Sequence, residues 1–292
     1  MQEINFEGLG LHFNINNIAF NIGQVKIYWY AVLIVLAFII GILFCKKDNG
    51  RYNIKFDDIL ELMVFVIPIS LICARLYFIL FKLDYFINNP GEIFNIRNGG
   101  LAIYGGIIGA IVTIIVFCKK KKIKVLNVLD YIAPFLALGQ AIGRWGNFFN
   151  GEAHGTITNN FLRMGITENG EYIQVHPTFL YESICTFIIF VILYVIRNKR
   201  NFEGQLTYIY FVLYGIARAI IEGFRTDSLM LGSFRISQIL SILLSAIFGI
   251  VLIYNWKKSK KFNLDKEKNK ITNKNKNINT SEEGKKWKRD IL

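Results

Sequence analysis

The sequence predicts an all-α integral membrane protein with seven transmembrane helices and a small extracytoplasmic head. Three observations predict it. Apolar residues make up 53% of the 292 residues, and the mean hydropathy is +0.38 although the net charge is +13. Soluble domains of this length rarely combine these values. Seven segments approach the roughly 20 apolar residues that a spanning helix needs, and basic residues cluster after alternate segments.

The predicted spans are taken in chain order. The fourth and the sixth are the weakest, because charged residues interrupt them. The seven are Ile27–Cys45, Leu62–Phe81, Gly99–Cys118, Val125–Phe149, Pro177–Ile196, Leu206–Ile221 and Ile236–Trp256.

Basic residues fix the orientation of these spans. Lysines or arginines follow the first, third, fifth and seventh spans, for example Lys46 and Lys47, Arg197, and Lys257. Because basic loops remain in the cytoplasm, every odd span is expected to exit there. The N-terminus is then outside and the C-terminus inside. The first 25 residues lack a basic region followed by a small-residue cleavage site, which argues against a cleaved signal peptide.

The domain organisation follows from these spans. Residues 1–256 are expected to form the transmembrane domain, and the long connection at about 150–175 forms the head between spans four and five. Residues 257–292 are rich in lysine and asparagine and have no apolar periodicity. They are expected to be disordered along anionic cytoplasmic lipid. The alternative is a compositional bias without function.

Cysteine and histidine do not predict metal chemistry. The four cysteines lie in or at the ends of apolar segments without a C-x-x-C spacing, so we expect buried small hydrophobic side chains. The three histidines show no zinc-ligand spacing. We expect no metal and no cofactor, and no nucleic-acid partner.

Ionisable residues within the spans are candidates for function, since each costs roughly 3 kcal/mol at the bilayer centre. Arg75 interrupts the second span and is expected to be either a packing ion pair or a site residue. Tyr214, Arg218, Glu222 and Arg225 follow one another at spacings of four, four and three, so they share one stripe of a helix. Such a stripe must face the bundle interior or an aqueous cavity.

A polar cluster ends the fourth span, where packing alone gives no reason for it. An arginine forks onto phosphate oxygens, glycines admit close approach, and asparagines add donors. We interpret the cluster as a phospholipid headgroup site. Its residues are Arg144, Asn147, Asn150, Gly151, Glu152 and Gly155. The derived topology brings further residues to the same face. They are Tyr30, Tyr104, Glu222 and Arg225, together with His176, Tyr181 and Glu182 at the start of the fifth span.

The run Gly143-Arg-Trp-Gly-Asn-Phe-Phe-Asn-Gly-Glu152, closed by Gly155, resembles the signature of bacterial phosphatidylglycerol–prolipoprotein diacylglyceryl transferases. Four further motifs occur in that family's order, and the resemblance covers residues from about 20 to 256. They are Trp29-Tyr30, Gly99–Gly109, His176-Pro177-x-x-x-Tyr181-Glu182, and the stripe from Tyr214 to Arg225.

The resemblance implies a seven-helix enzyme of the bacterial cytoplasmic (inner) membrane, with its active site toward the outer leaflet. It implies transfer of the diacylglyceryl group from phosphatidylglycerol to the lipobox cysteine thiol of a preprolipoprotein. The product is a thioether, glycerol 1-phosphate leaves, and the reaction is the first step of lipoprotein maturation. The implied partners are phosphatidylglycerol, the lipobox segment and the bilayer.

The resemblance also assigns roles by matching position. Arg144 would bind the donor phosphate, Arg218 would be a second essential cation, and Asn147 and Gly155 would shape the headgroup site. Tyr30, Glu222 and Arg225 would complete the cavity. Many family members carry a histidine where this chain has Tyr104, so we expect a hydrogen-bonding tyrosine and no dedicated histidine base. The expected mechanism is positioning plus electrostatic stabilisation of the leaving phosphate.

Three other functions remain open from the residues alone. Intramembrane arginines also line transporters or flippases for anionic substrates, but no inverted repeat is visible. A CDP-alcohol phosphotransferase would need clustered aspartates for metal, whereas those here are scattered. A structural or receptor-like protein would leave Arg144 and the Arg218 stripe unexplained.

Overall fold

In the computed structural model, residues 2–95, 99–168, 170–226, 230–232 and 234–261 are described. Their α-helices follow the predicted spans closely, with one additional short helix between the second and third. The helices are α1 Trp29–Lys47, α2 Phe56–Leu80, α3 Leu83–Asn88, α4 Ile103–Lys121, α5 Val125–Asn150, α6 Thr178–Ile196, α7 Gln205–Glu222 and α8 Ile236–Lys261.

Six of these helices are long and apolar enough to cross a membrane: α1, α2, α4, α5, α6 and α8. The chain is therefore mostly helical with six candidate spans among the described residues. Helix α7 forms where the sixth span was predicted. It carries the ionisable stripe and is not among the six candidate spans. Helix α8 continues beyond Trp256 into the predicted tail, and residues 262–292 of that tail lie outside the described residues.

The chain is mostly helical as predicted, but the prediction of a strictly all-α fold is wrong, because short strands precede α1, form the head and follow α7. They are β1 Gln2–Phe6, β2 Leu11–Ile15, β3 Ile18–Ile22, β4 Val25–Tyr28, β5 Met164–Glu168, β6 Glu171–Val175, β7 Met230–Leu231 and β8 Phe234–Arg235. The physical reason is the alternation of apolar and polar residues in the N-terminal segment, which suits half-buried strands.

The head is a four-stranded antiparallel sheet in the order β2-β1-β5-β6. It therefore combines the N-terminus with the connection between α5 and α6, whereas the sequence placed the head in that connection alone. The buried side chains of Ile4, Ile166 and Val175 pack in one cluster with Phe148 of α5 and Phe179 of α6. This packing holds the sheet on the ends of the two helices that carry the site.

Helix α5 is the centre of the bundle and packs against α1, α6 and α7, while α2 packs against α4. The Tyr131 hydroxyl of α5 donates to the carbonyl oxygen of Cys45 in α1, at 2.6 Å. The Ser183 hydroxyl of α6 donates to the carbonyl oxygen of Ala141, at 2.8 Å. These bonds fix the depth of α5 relative to its neighbours. All four cysteines are free thiols.

A buried aspartate of α5 caps the first turn of α7. Asp130 accepts from the backbone N–H groups of Gly204, at 2.8 Å, and Thr207, at 2.9 Å. It also accepts from the Thr207 hydroxyl and from Arg200, at 2.8 and 3.0 Å. A carboxylate at a helix N-terminus satisfies orphan donors and complements the helix dipole. This cap anchors α7 beside α5.

Candidate functional site

The centre of the site is the buried carboxylate of Glu182 in α6. It forms ion pairs with Arg144 of α5 and Arg218 of α7. A third pair joins it to Nη1 of Arg225, at 3.3 Å from Oε1. Three guanidinium groups, one from α5 and two from the stripe of α7 and the residues just after it, therefore converge on one carboxylate.

A second buried carboxylate, Glu222, lies beside the first. Its Oε2 is 2.7 Å from Nη2 of Arg218 and 4.0 Å from Nε of Arg225. Arg235 donates to the backbone carbonyl of Glu222 and adds a further cation. The polar stripe of α7 thus faces the bundle interior, where α6 supplies its main partner.

We call Arg144, Arg218, Arg225, Glu182 and Glu222 the outer ion cluster. Among the ion pairs of the described residues, its three cations face two carboxylates. Charges buried away from water need partners, because desolvation of an ion costs several kcal/mol. The cluster is therefore suited to accept one further anion.

Amide side chains extend the site beyond the end of α5. Asn147 Oδ1 lies 3.4 Å from Nη1 of Arg144, and its amide nitrogen donates to Oε1 of Glu152, at 3.0 Å. The Asn150 amide donates to the same oxygen, at 3.1 Å. Gly151 ends α5 with a positive φ of 66°. A polar surface therefore runs from Arg144 to the exposed carboxylate of Glu152.

Gly155 joins the loop after α5 to the segment after α7. Its N–H donates to the carbonyl of His176, at 2.8 Å, and Thr156 N–H donates to the carbonyl of Phe224, at 2.7 Å. A Cβ at Gly155 would lie 2.7 Å from Cβ of His176 and 2.8 Å from the Phe224 carbonyl oxygen. Only glycine fits without movement, so this loop is held directly against the backbone that precedes Arg225.

Two tyrosines predicted for the site lie on different helices. The ring of Tyr30 in α1 packs on Gly146, where a Cβ would lie 2.3 Å from a ring carbon. Trp29 stacks on Phe149, with ring centroids 5.0 Å apart. Tyr214, one turn before Arg218, stacks on Tyr210 at 5.6 Å. The structure therefore places Tyr30 beside the last turns of α5 and Tyr214 along the stripe of α7.

Tyr104 lies in the first turn of α4 and is 48% exposed. Helix α4 packs mainly against α2. Among the described residues, no hydrogen bond or ring contact joins Tyr104 to the outer ion cluster. Its catalytic role therefore remains a proposal.

Arg75 has a structural environment that neither of the two sequence interpretations described. Its guanidinium donates five hydrogen bonds of 2.5 to 3.0 Å to backbone carbonyls, and Phe78 and Phe86 lie against it. The accepting carbonyls are those of Glu92, Ile93, Asn95, Gly99 and Gly100. Arg75 therefore ties the connection before α4 to α2 through backbone acceptors.

Glu182 is the residue of the candidate site that sequence reasoning undervalued. The derived topology placed it on the same face as Arg144, but it was not among the predicted site residues. The signal was present, since Glu182 is an ionisable residue inside an apolar span and such residues are candidates for function by default. Arg235 lies outside the predicted spans and carried no comparable signal.

The two histidines near the site have separate environments. His176 Nδ1 lies 3.2 Å from the Tyr181 hydroxyl, and burial lowers the pKa of His176 below its ordinary value of 6.5. His154 Nε2 lies 3.6 Å from a carboxylate oxygen of Glu168. Within the described residues, no group of three histidine, cysteine, aspartate or glutamate side chains could hold a metal ion.

Comparison with known proteins places the chain in a family. The sequence model of prolipoprotein diacylglyceryl transferases matches residues 17–254, a range that includes the whole outer ion cluster. The chain belongs to the prolipoprotein diacylglyceryl transferase family. Strands β1 and β2 of the head precede the matched range. Membership in this family makes the chain a transferase.

Several curated members of the prolipoprotein diacylglyceryl transferase family are similar over most of their length. A phosphatidylglycerol–prolipoprotein diacylglyceryl transferase of Finegoldia magna is 49% identical over 244 residues, which are 83% of this chain and 96% of the relative. One from Clostridioides difficile is 45% identical over 252 residues, covering 86% and 100%. One from Clostridium novyi is 42% identical over 246 residues, covering 82% and 95%.

Proposed function

We propose that this chain transfers the diacylglyceryl group of phosphatidylglycerol to the lipobox cysteine thiol of a preprolipoprotein. The product is a thioether, and glycerol 1-phosphate is released. The observation that carries the proposal is the outer ion cluster, in which three guanidinium groups share two buried carboxylates. The donor lipid is a phosphodiester with one negative charge, and guanidinium groups bind phosphate oxygens through a bidentate fork.

The exposure of the three arginines supports an order of contact with the donor. The exposed fraction of the side chain falls from 25% for Arg144 to 17% for Arg218 and 9% for Arg225. Arg144 therefore meets the phosphate first, and Arg218 supports it from deeper in the bundle. Arg225 orients Glu182 and Glu222.

The remaining predicted residues would bind the rest of the donor. The amides of Asn147 and Asn150 and the carboxylate of Glu152 offer donors and acceptors for the hydroxyl groups of the glycerol headgroup. Gly151 and Gly155 keep backbone close to that headgroup. The rings of Tyr30 and Tyr214 border the cavity.

The chemistry requires no nucleophile from the enzyme, because the substrate thiol attacks. Sulfur forms a bond to the terminal glycerol carbon of the diacylglyceryl group, the C–O bond to phosphate breaks, and the thiol proton is released. The phosphate oxygen takes the electron pair and thus gains negative charge. Arg144 and Arg218 stabilise that charge in a site of low dielectric constant.

The same positive field favours the attacking thiolate. A free cysteine has a reference pKa of about 8.5, so it is mostly protonated at neutral pH. Nearby cations lower the pKa of a thiol. Tyr104 contributes a hydrogen bond without acting as a dedicated base.

The proposed membrane arrangement makes α7 the seventh span. Its 18 residues would extend about 27 Å at 1.5 Å per residue, close to the thickness of the hydrocarbon core. Its ionisable residues face α6 and need no contact with lipid. The lysine-rich ends of α1 and α4 then lie in the cytoplasm of a bacterial cell, with the outer ion cluster toward the outer leaflet of its cytoplasmic membrane.

A transfer assay in defined vesicles tests the function. It combines phosphatidylglycerol carrying labelled acyl chains, a lipobox peptide with one cysteine, and either the unmodified protein or Arg144→Ala. Arg163→Ala is the matched control, since Arg163 pairs with Glu7 on the head, outside the outer ion cluster. We expect label on the cysteine with the unmodified protein and the control only. No label from folded, unmodified protein would overturn the proposal and make anionic-substrate flux the next measurement.

A further inference from the structure

The hairpin that precedes α1 has one apolar face and one polar face. Strands β3 and β4 are joined by the two-residue turn Gly23-Gln24, and Phe20 lies opposite Ile27 while Ile22 lies opposite Val25. Because alternate residues of a strand point to the same side, these four side chains share one face. The opposite pair on the other face is Asn21 with Lys26.

Three of the four apolar side chains of this face are exposed, and Ile27 is partly buried. Phe20 is 50% exposed, Ile22 63% and Val25 46%. Contiguous exposed apolar surface of this kind marks a contact with another apolar phase. A hairpin of two strands also has no second layer of its own to bury such a face.

The position of the hairpin identifies what covers this face. Strand β4 ends at Tyr28 and α1 begins at Trp29, so the hairpin starts where the chain enters the membrane. Tyr28, Trp29 and Tyr30 form an aromatic group of the kind enriched at membrane–water interfaces. Below them, α1 exposes apolar side chains at four-residue spacing, Val35, Ile39 and Leu43. The apolar face of the hairpin is continuous in sequence with this lipid-facing helix.

We propose that the β3–β4 hairpin is an interfacial membrane anchor whose Phe20–Ile22–Val25–Ile27 face lies among the lipid acyl chains next to α1. Asn21 and Lys26 on the opposite face then meet water and lipid headgroups, where a lysine is favourable beside phosphates. The occupant of this surface is the bilayer itself rather than a second protein. The placement rests on the membrane topology of α1 and is independent of the transfer reaction.

The anchor is tied to the candidate site through its base. Trp29 N–H donates to the carbonyl of Asn17, at 2.9 Å, which closes the hairpin onto the start of α1. The adjacent side chains of Trp29 and Tyr30 contact Phe149 and Gly146 in the last turns of α5. A hairpin seated in the leaflet therefore sets the height of the Arg144 end of α5 relative to the lipid phosphates.

Photochemical labelling of neighbouring positions tests the anchor. The full chain would carry p-benzoylphenylalanine in place of Phe20 or, as the matched control, in place of Asn21. It would be reconstituted in vesicles of phosphatidylglycerol and phosphatidylcholine with labelled acyl chains. Phe20 is replaced by another aromatic group and Asn21 is exposed, so both variants are expected to fold. We expect severalfold more lipid adduct from position 20 than from position 21.

Two outcomes would overturn the proposal. Equal lipid labelling at the two positions would show that the apolar face is not directed into the leaflet. Adducts between two copies of the chain at position 20, in place of lipid adducts, would make the face a protein interface. Because labelling requires no turnover, an enzyme without transferase activity would still give a valid result.

Discussion

The two ends of the bundle each bury carboxylates among arginines, but they use them differently. We call the end of the bundle where Asp130 and Arg200 lie the basic end. There, Asp130 accepts from two backbone N–H groups, a hydroxyl and Arg200. The guanidinium of Arg200 also lies 3.9 Å from the Tyr52 ring centroid. In the outer ion cluster, the described contacts of the Glu182 carboxylate are all with guanidinium groups. A carboxylate saturated by backbone groups fixes the fold. Where several guanidinium groups share one carboxylate, the anion of a ligand can replace that carboxylate as the partner of one of them.

Substitution of Arg144 should have the largest effect on the outer ion cluster. Arg144→Ala should lower transfer by a factor of hundreds or more, because a preorganised donor to the developing negative charge is lost. Arg144→Lys should recover part of the activity, since the charge remains without the bidentate fork. The measurement is kcat/KM in vesicles, with thermal unfolding to show that the variants are folded. Undiminished transfer by Arg144→Ala would refute the assignment of the phosphate site.

The opposite end should respond in stability. Asp130→Asn should lower the free energy of unfolding by about 3 kcal/mol, because Arg200 keeps a buried charge without its partner. The matched control is Glu203→Gln, whose carboxylate pairs with Lys124 at the surface at 2.6 Å and should contribute at most about 1 kcal/mol. Unfolding in detergent measures both. A loss of turnover per folded molecule in Asp130→Asn, without destabilisation, would contradict the distinction between the two ends.

The helices could be predicted because they depend on local composition. The runs predicted at 125–149 and 177–196 became α5 Val125–Asn150 and α6 Thr178–Ile196. The head could not be predicted in the same way. Strand β1 pairs with β5 through Asn5 and Gly165, which are distant in sequence, and no local pattern shows such a partner. The short strands were therefore not predicted, because long apolar runs dominate the sequence.

The site was predictable to the extent that its residues are ionisable within apolar spans. Arg144, Arg218 and Glu222 were found in that way. The same rule applied to Glu182, and its central position became visible only when α5, α6 and α7 were packed together. The partners of Arg75 are backbone carbonyls, which every residue possesses, so no residue type could reveal them.

Glu182→Gln tests whether the charge of Glu182 positions the arginines of the outer ion cluster. The amide keeps the shape but removes the charge that gathers three guanidinium groups, so kcat should fall about tenfold through loss of positioning. Inhibition by glycerol 1-phosphate should strengthen, because its phosphate no longer competes with a carboxylate. Steady-state kinetics and product inhibition measure the two effects. Glu168→Gln, an exposed carboxylate of the head, is the control. Unchanged values for both quantities would show that Glu182 does not position the arginines.

Tyr104→Phe tests whether the site extends beyond the outer ion cluster. We expect a severalfold decrease in kcat, consistent with the loss of one hydrogen bond of about 1 kcal/mol. Tyr85→Phe, an exposed tyrosine between α2 and α4, is the control. Near-normal turnover would remove Tyr104 from the chemistry. A loss as large as that of Arg144→Ala would instead make its hydroxyl essential.

The smallest expected effect concerns His176, whose carbonyl holds Gly155 at the edge of the outer ion cluster. Burial lowers the pKa of His176 below 6.5, so the folded protein binds its proton less readily than the unfolded chain. The associated stability is complete above the unfolded pKa and is lost as the pH falls through and below 6.5. Unfolding midpoints between about pH 7.5 and pH 5 should therefore decline less steeply in His176→Gln. An unchanged slope in His176→Gln would assign the pH dependence of stability to other titratable groups.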